Sequence, residues 1–208
     1  MIFSNFIIHD IMNSIKELLK ELLHDWNSRM KVALGAAKGT AFIHTEGGSK
    51  FTHGNIKSTT ILITEEFDSC ISDVGLPPLM NGPEVTDSKK ITQKSDVYSF
   101  GVLLLEMLTG KVPMRYPGYE DVVDLPRWVK SVVREEWTAE VFDEELLRGQ
   151  YVEEGKVQML QIALACVAKT PDMRPRMDEA VRMIEEIKHP EFKNRTSSES
   201  EYSNVQTP

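Results

Sequence analysis

Cysteine is scarce: Cys70 and Cys166 are the only two in 208 residues. They form no CxxC pair and no Cys/His cluster, which argues against a zinc site. Each has apolar sequence neighbours, and the simplest expectation is two buried thiols in a reducing compartment. Long hydrophobic runs are also missing. No stretch approaches the ~18 apolar residues that a bilayer-spanning helix needs, so no transmembrane segment is expected in this chain. Residues 1–8 are apolar but lack a basic flank and a small-residue cleavage site, which makes a poor signal peptide. Positive charge is short as well: 24 Lys and Arg face 32 Asp and Glu, a formal net charge of -8. A phosphate-backbone binder needs a concentrated basic face, so nucleic acid is not an expected partner. The acidity reads as solubility. The sequon Asn194-Arg195-Thr196 would be an acceptor only in a secreted protein, and nothing else suggests secretion. No internal repeat is present.

What the chain does contain is ordinary for a globular domain: 41% hydrophobic and 27% charged residues, enough for one substantial core. Ile11, Met12, Ile15, Leu18, Leu19, Leu22 and Leu23 recur at helical spacing, with Lys16, Glu17, Lys20 and Glu21 on the other face. That predicts an amphipathic helix that packs on a partner surface. A second helix is predicted from about Trp26 to His44, rich in small residues that permit close packing. Ile61 to Ile63 and Cys70 to Ile71 read as strands joined by a turn over 65–68. Residues 73–94 read as loop. Residues 96–109 are almost wholly apolar, the pattern of a helix at the centre of a core, and Gly110 fits its stop. Further helices are predicted over 125–134, 155–167 and 178–187, with Pro171 and Pro175 breaking the last interval. The Ser/Thr/Glu-rich tail has little to bury and is expected to be disordered.

Three short signals then fall in a fixed order. His53-Gly54-Asn55-Ile56-Lys57-Ser58-Thr59-Thr60, followed by an apolar strand, resembles the protein-kinase catalytic loop H-R-D-L-x-x-x-N. Asp73-Val74-Gly75 resembles D-F-G, and Gly82-Pro83-Glu84 resembles A-P-E. Lys94-Ser95-Asp96-Val97-Tyr98-Ser99-Phe100-Gly101-Val102 and Pro171-Asp172-Met173-Arg174-Pro175 complete the set. Each is weak alone; in order they are strong. Together with Trp26-Asn27-Ser28-Arg29 and a Gly after the loop histidine, they make the chain similar to plant leucine-rich-repeat receptor-like kinases, including those regarded as inactive. The implied fold is mainly α: a kinase-like C-terminal lobe, helical with a short β-hairpin, the β-rich upper lobe missing. The implied division is an amphipathic segment outside the family at 1–24, the lobe at 25–190 and a disordered tail at 191–208.

The resemblance also implies what chemistry is left. Phosphoryl transfer needs positioned phosphates, metal ions and an oriented nucleophile. No G-x-G-x-x-G, no V-A-I-K lysine and no partner glutamate precede the loop. Asn55 takes the place of the catalytic aspartate, and an amide cannot accept a hydroxyl proton as a carboxylate does. Gly54 replaces the arginine that would pair with an activation-loop phosphate. Thr60 stands where an asparagine would bind metal, a shorter and weaker ligand. Lys57 matches the lysine that contacts the transferred phosphate; alone it is a solvated charge. Leu62 would be a vestigial nucleotide floor and Asp73 a vestigial Mg2+ ligand, a poor site by itself. Glu84 follows Asp73 by only eleven positions, a short activation segment. The structural positions are better kept: Glu84 would pair with Arg174, Asp96 would accept hydrogen bonds from the loop backbone, and His53 and Val74 would sit in a packed column.

The reading is therefore an inactive kinase lobe, acting if at all as a signalling interaction module, with other signalling proteins or kinases as partners. No cofactor is expected, although the family uses ATP and Mg2+. The expected location is the cytoplasm; the family is a plasma-membrane one with a cytosolic kinase domain. The alternatives are a fragment of an ATP-dependent Ser/Thr protein kinase, against which Asn55 and Thr60 speak, and a truncated product without function.

Overall fold

Asp25 starts the first helix. Its carboxylate accepts hydrogen bonds from the Ser28 amide (3.0 Å) and hydroxyl (2.5 Å), satisfying a donor that the helix itself cannot. The computed structural model describes residues 25–48, 51–75, 92–111, 124–134, 138–148 and 153–188. The predicted segment 11–23, the loop 76–91 with Glu84, and the tail lie outside these residues.

Helix α1 (Trp26–Glu46) carries glycines one turn apart, and both are needed for close approach. A Cβ on Gly35 would lie 2.3 Å from Ser69 Oγ and 2.6 Å from the Ser69 carbonyl oxygen. One on Gly39 would lie 3.0 Å from Ile71 Cγ2. The neighbouring element is strand β2 (Ser69–Ile71), which pairs antiparallel with β1 (Ile61–Ile63) in the register Ile61–Ile71, Leu62–Cys70, Ile63–Ser69. Ser69 Oγ donates to the Val32 carbonyl at 2.8 Å and ties hairpin to helix. Side chains alternate along a strand, so Ile61, Ile63 and Ile71 pack on the core while Leu62 and Cys70 face out. The expectation of two buried thiols is thus corrected. Cys166 is buried and Cys70 is exposed, because apolar sequence neighbours do not bury a residue that sits on the outer face of a two-stranded hairpin.

Helix α2 (Gln93–Thr109) is the centre of the core. Thr92 and Ser95 cap its start reciprocally: the Ser95 amide donates to Thr92 Oγ1 at 3.2 Å and the Thr92 amide to Ser95 Oγ at 3.3 Å. Gly110 ends it in the left-handed region, φ 64°. Phe100, Leu103, Leu104 and Leu105 are all buried, each contributing about 1.5–3 kcal/mol of transfer free energy. The chain continues through α3 (Leu125–Arg134), the short α4 (Glu144–Leu147), α5 (Glu153–Cys166) and α6 (Met177–Lys188). Gly101 lets α2 meet α5; a Cβ there would lie 2.6 Å from Cys166 Cβ. Burial pushes the Cys166 thiol up to about 12, with Arg174 and Lys94 pulling weakly the other way. Arg29 of α1 is buried and donates to the Met107 carbonyl (2.5 Å) and to Asp143 Oδ2 (2.8 Å), joining α1, the end of α2 and the cap of α4. Among the described residues no helix is long and apolar enough to cross a membrane.

Candidate functional site

The loop from His53 to Thr60 is fastened at its start by one buried carboxylate. Asp96, in the first turn of α2, is 1% exposed. Its Oδ2 accepts from the His53 amide at 2.7 Å and its Oδ1 from the Gly54 amide at 2.8 Å. His44, in the last turn of α1, places Nε2 2.9 Å from the same Oδ2. Gly54 has φ 82°, a conformation that costs a side chain strain. One residue further, the Asn55 amide donates back to His53 Nδ1 at 3.2 Å. A backbone N–H can only donate, so the neutral ring carries its hydrogen on Nε2, which is buried without a hydrogen-bond partner among the described residues. Gln93 adds a clamp: its amide nitrogen is 3.1 Å from the His44 and Gly48 carbonyls and 3.2 Å from that of Phe51.

The end of the loop is closed by Thr60, which is fully buried. Its hydroxyl donates toward the Lys57 carbonyl (2.9 Å) and the Asn55 carbonyl (3.2 Å), and accepts from the Lys57 amide (3.2 Å). The Thr60 carbonyl takes the Ser72 amide at 2.8 Å. Loop and hairpin are thereby joined to the turn at Asp73, whose backbone is left-handed, φ 63°. Gly75, at φ 72°, returns an N–H to the His53 carbonyl at 3.2 Å. Asp73 itself is exposed.

This turn corrects one expectation. His53 is fully buried, but Val74 is 40% exposed and does not join it in a packed column. Val74 falls between two left-handed residues at the apex of a tight reversal, which leaves its side chain in solvent. Leu62 is 56% exposed beside Cys70 on the outer hairpin face. The Lys57 ammonium makes no ion pair among the described residues, and Lys57 is partly buried. Arg174 stands apart from the loop. It donates to the Ala168 carbonyl (2.8 Å) and the Lys94 carbonyl (2.7 Å) and lies 4.8 Å from the centre of the Tyr98 ring. Lys94 returns its ammonium to the Arg174 carbonyl. Burial and then the Asp124 carboxylate raise the Tyr98 phenol, against the pull of Arg174. Glu84 lies outside the described residues, so its pairing with Arg174 is not part of this picture.

Three contributors are invisible in the motif pattern: His44, Gln93 and the Thr92–Ser95 cap. The cap had a signal, Thr-Gln-Lys-Ser just ahead of an apolar run. His44 and Gln93 had none, because each acts across more than forty residues of chain.

The family model described as protein tyrosine and serine/threonine kinase matches residues 6–184. The chain belongs to that family. The match begins inside the segment 1–24, where no motif marks the family. Among curated relatives, an Arabidopsis thaliana protein named "Probable inactive receptor kinase" is 54% identical over 192 residues, covering 84% of this chain and 30% of that one. A leucine-rich-repeat receptor-like protein kinase of the same plant is 48% identical, covering 79% of this chain and 29% of its own length. Among solved structures, the pseudokinase domain of BIR2, an immune regulator of the RLK/Pelle family, aligns with a TM-score of 0.64 at 32% identity, covering 84% of this chain and 57% of that one. The chain therefore spans about a third of the length of such curated relatives and somewhat over half of a solved kinase domain. The mostly helical lobe with its two-stranded hairpin corresponds to the C-terminal lobe of a kinase.

Kinases of this family use ATP and Mg2+. The donors here do not fit a pair of metal ions. Asp73 offers an exposed carboxylate, but the Thr60 hydroxyl is buried and bonded within the loop. No group of three or more His, Cys, Asp or Glu that could hold a metal occurs among the described residues.

Proposed function

We propose that this chain is a catalytically silent receptor-like kinase lobe that works, in signalling, by contact with other proteins. The observation that carries the reading is the amide residue Asn55 two places after His53, where the motif order puts the catalytic base, inside a loop fastened by Asp96 and Thr60. A base must take the proton of the attacking hydroxyl, and a carboxamide has no basic lone pair to do so. Lys57 and Asp73 keep the residue types of an active kinase, yet neither supplies that step. Gly54 removes the arginine that would read a phosphorylated activation segment. Inactive relatives and a pseudokinase neighbour support the same reading, as does the retention of Asp96, Arg174 and His53 in structural positions. Glu84 is assigned the partner of Arg174, and Leu62 the remnant of the nucleotide floor.

The test is transfer of radiolabelled phosphate from ATP to a generic Ser/Thr substrate, at millimolar ATP and Mg2+. The expected result is no transfer above a mock purification. Transfer that follows the wild-type protein through purification and disappears in Asp73→Ala would overturn the reading.

A further inference from the structure

We infer that Thr60 is a loop-closing residue and not a weakened metal ligand, so that this loop holds its shape without any metal. The inference deepens the reading above and rests on it only in placing Thr60 at the metal-ligand position. Three observations carry it. The Thr60 side chain is fully buried, so no hydrated cation can reach its oxygen. Its single hydrogen is committed to the Lys57 and Asn55 carbonyls, at 2.9 and 3.2 Å. One lone pair is taken by the Lys57 amide at 3.2 Å, the only acceptor that amide has among the described residues. A magnesium ion needs oxygen ligands at short distance in near-octahedral array, with waters completing the shell. Turning the hydroxyl toward such an ion would break the contacts that keep Asn55 to Thr60 folded back on themselves. In place of a ligand that orders the loop by binding metal, the chain has one that orders it by hydrogen bonding to its own backbone. Asp73 is left as the one carboxylate of the pair.

The inference is tested on the full chain by two measurements that do not involve phosphate transfer. The first is amide hydrogen exchange at Lys57 in wild type, Thr60→Val and Thr60→Ser. Valine keeps the shape and deletes the hydroxyl; serine keeps the hydroxyl. The expected result is a loss of about tenfold or more in Lys57 protection in Thr60→Val and its retention in Thr60→Ser. Unchanged protection in Thr60→Val would overturn the closure. The second is line broadening of amide signals by Mn2+, with Asp73→Asn as the comparison. The expected broadening centres on Asp73 and vanishes in Asp73→Asn. Broadening that persists in Asp73→Asn and centres on Thr60 would make Thr60 a ligand and overturn the inference, even if Thr60→Val fails to fold. Phosphate transfer by the wild type would sink the silent-kinase reading while leaving both of these results standing.

Discussion

The inner and outer sides of the loop-and-hairpin region differ in what they have kept. On the inner side, Asp96 takes two loop amides, His44 takes Asp96, His53 is buried, and Thr60 closes the loop on itself. Each of these contacts uses a side chain to tie the loop to a helix, one helix to another, or the loop to itself. On the outer side stand Asn55, Leu62, Cys70, Asp73 and Val74, most of them exposed. The positions assigned to chemistry are the ones where residue type departs from an active kinase or where a side chain faces solvent without a partner. The lesson is that the two kinds of position answer to different physics. Folding depends on inner contacts that are lost when the bonding group is deleted, whereas an amide for a carboxylate on the outer side removes none of them.

The largest expected effect lies on the inner side. Asp96→Ala leaves the His53 and Gly54 amides and the His44 ring without their acceptor. Unsatisfied buried donors cost about 1–3 kcal/mol each, so a loss of about 3–5 kcal/mol is expected, read as a shift in the denaturation midpoint at unchanged slope. A shift below about 1 kcal/mol would remove the distinction between the two sides.

Next in size is Gly35→Ala. The new Cβ would lie 2.6 Å from the Ser69 carbonyl oxygen, a backbone atom that cannot swing away. Overpacking of this kind costs about 1–3 kcal/mol. Because the strain falls between α1 and β2, hydrogen exchange should quicken in the hairpin before it does in α2. Equal quickening everywhere would mean that the hairpin is not a separate outer layer.

The two thiols sharpen the comparison chemically. The Cys166 thiol is pushed up to about 12 from an ordinary 9.0. The folded state then keeps its proton where the unfolded state has lost it. Its contribution is fully present below pH 9 and is lost as pH rises toward 12, at about 1.4 kcal/mol per pH unit. Tyr98 acts in the same direction, so the measure is the difference in alkaline slope between wild type and Cys166→Ala. A thiol reagent applied to the native protein at neutral pH should modify Cys70 and spare Cys166. Modification of both at equal rates would contradict the burial of α5 against α2.

The fold was largely legible in the sequence. The helices at 26–44, 125–134, 155–167 and 178–187 were visible as periodic apolar residues, and the central helix as an unbroken apolar run, because burial of side chains is what those patterns record. The hairpin was legible in place, yet not in facing: local composition put Cys70 inside, and only the register with Leu62 shows it outside. Val74 failed for a related reason, since a motif gives residue type but not the two left-handed residues that flank it. In the candidate site, motif spacing singled out Asn55, Thr60 and Asp73 as candidates. It could not show that the Thr60 hydroxyl is turned inward, nor that His44 and Gln93 fasten the loop, because those are contacts between segments with no shared pattern.

The smallest expected effect is on the outer side, and it tests the comparison from there. Asn55→Asp replaces an amide by an isosteric carboxylate at a partly buried position that bonds to the loop through backbone atoms, the amide donating to His53 Nδ1 and the carbonyl accepting from Thr60 Oγ1. Neither bond changes, so stability should move by no more than about 0.5 kcal/mol, the range of substitutions that break no such feature. Catalysis should not return either. A base without positioned phosphates and metal ions stabilises only one part of the transition state, and parts that act as a unit do not contribute singly. Adding Thr60→Asn to Asn55→Asp restores a second residue type, and this double variant should also remain at the background of the radiolabel assay. It should, however, be less stable than Asn55→Asp alone, because it trades a buried hydroxyl that closes the loop for a larger amide. Phosphate transfer by the double variant, abolished by Asp73→Ala, would show that these two residues are enough to restore catalysis to this lobe. A destabilisation by Asn55→Asp as large as that of Asp96→Ala would show that Asn55 belongs to the inner side.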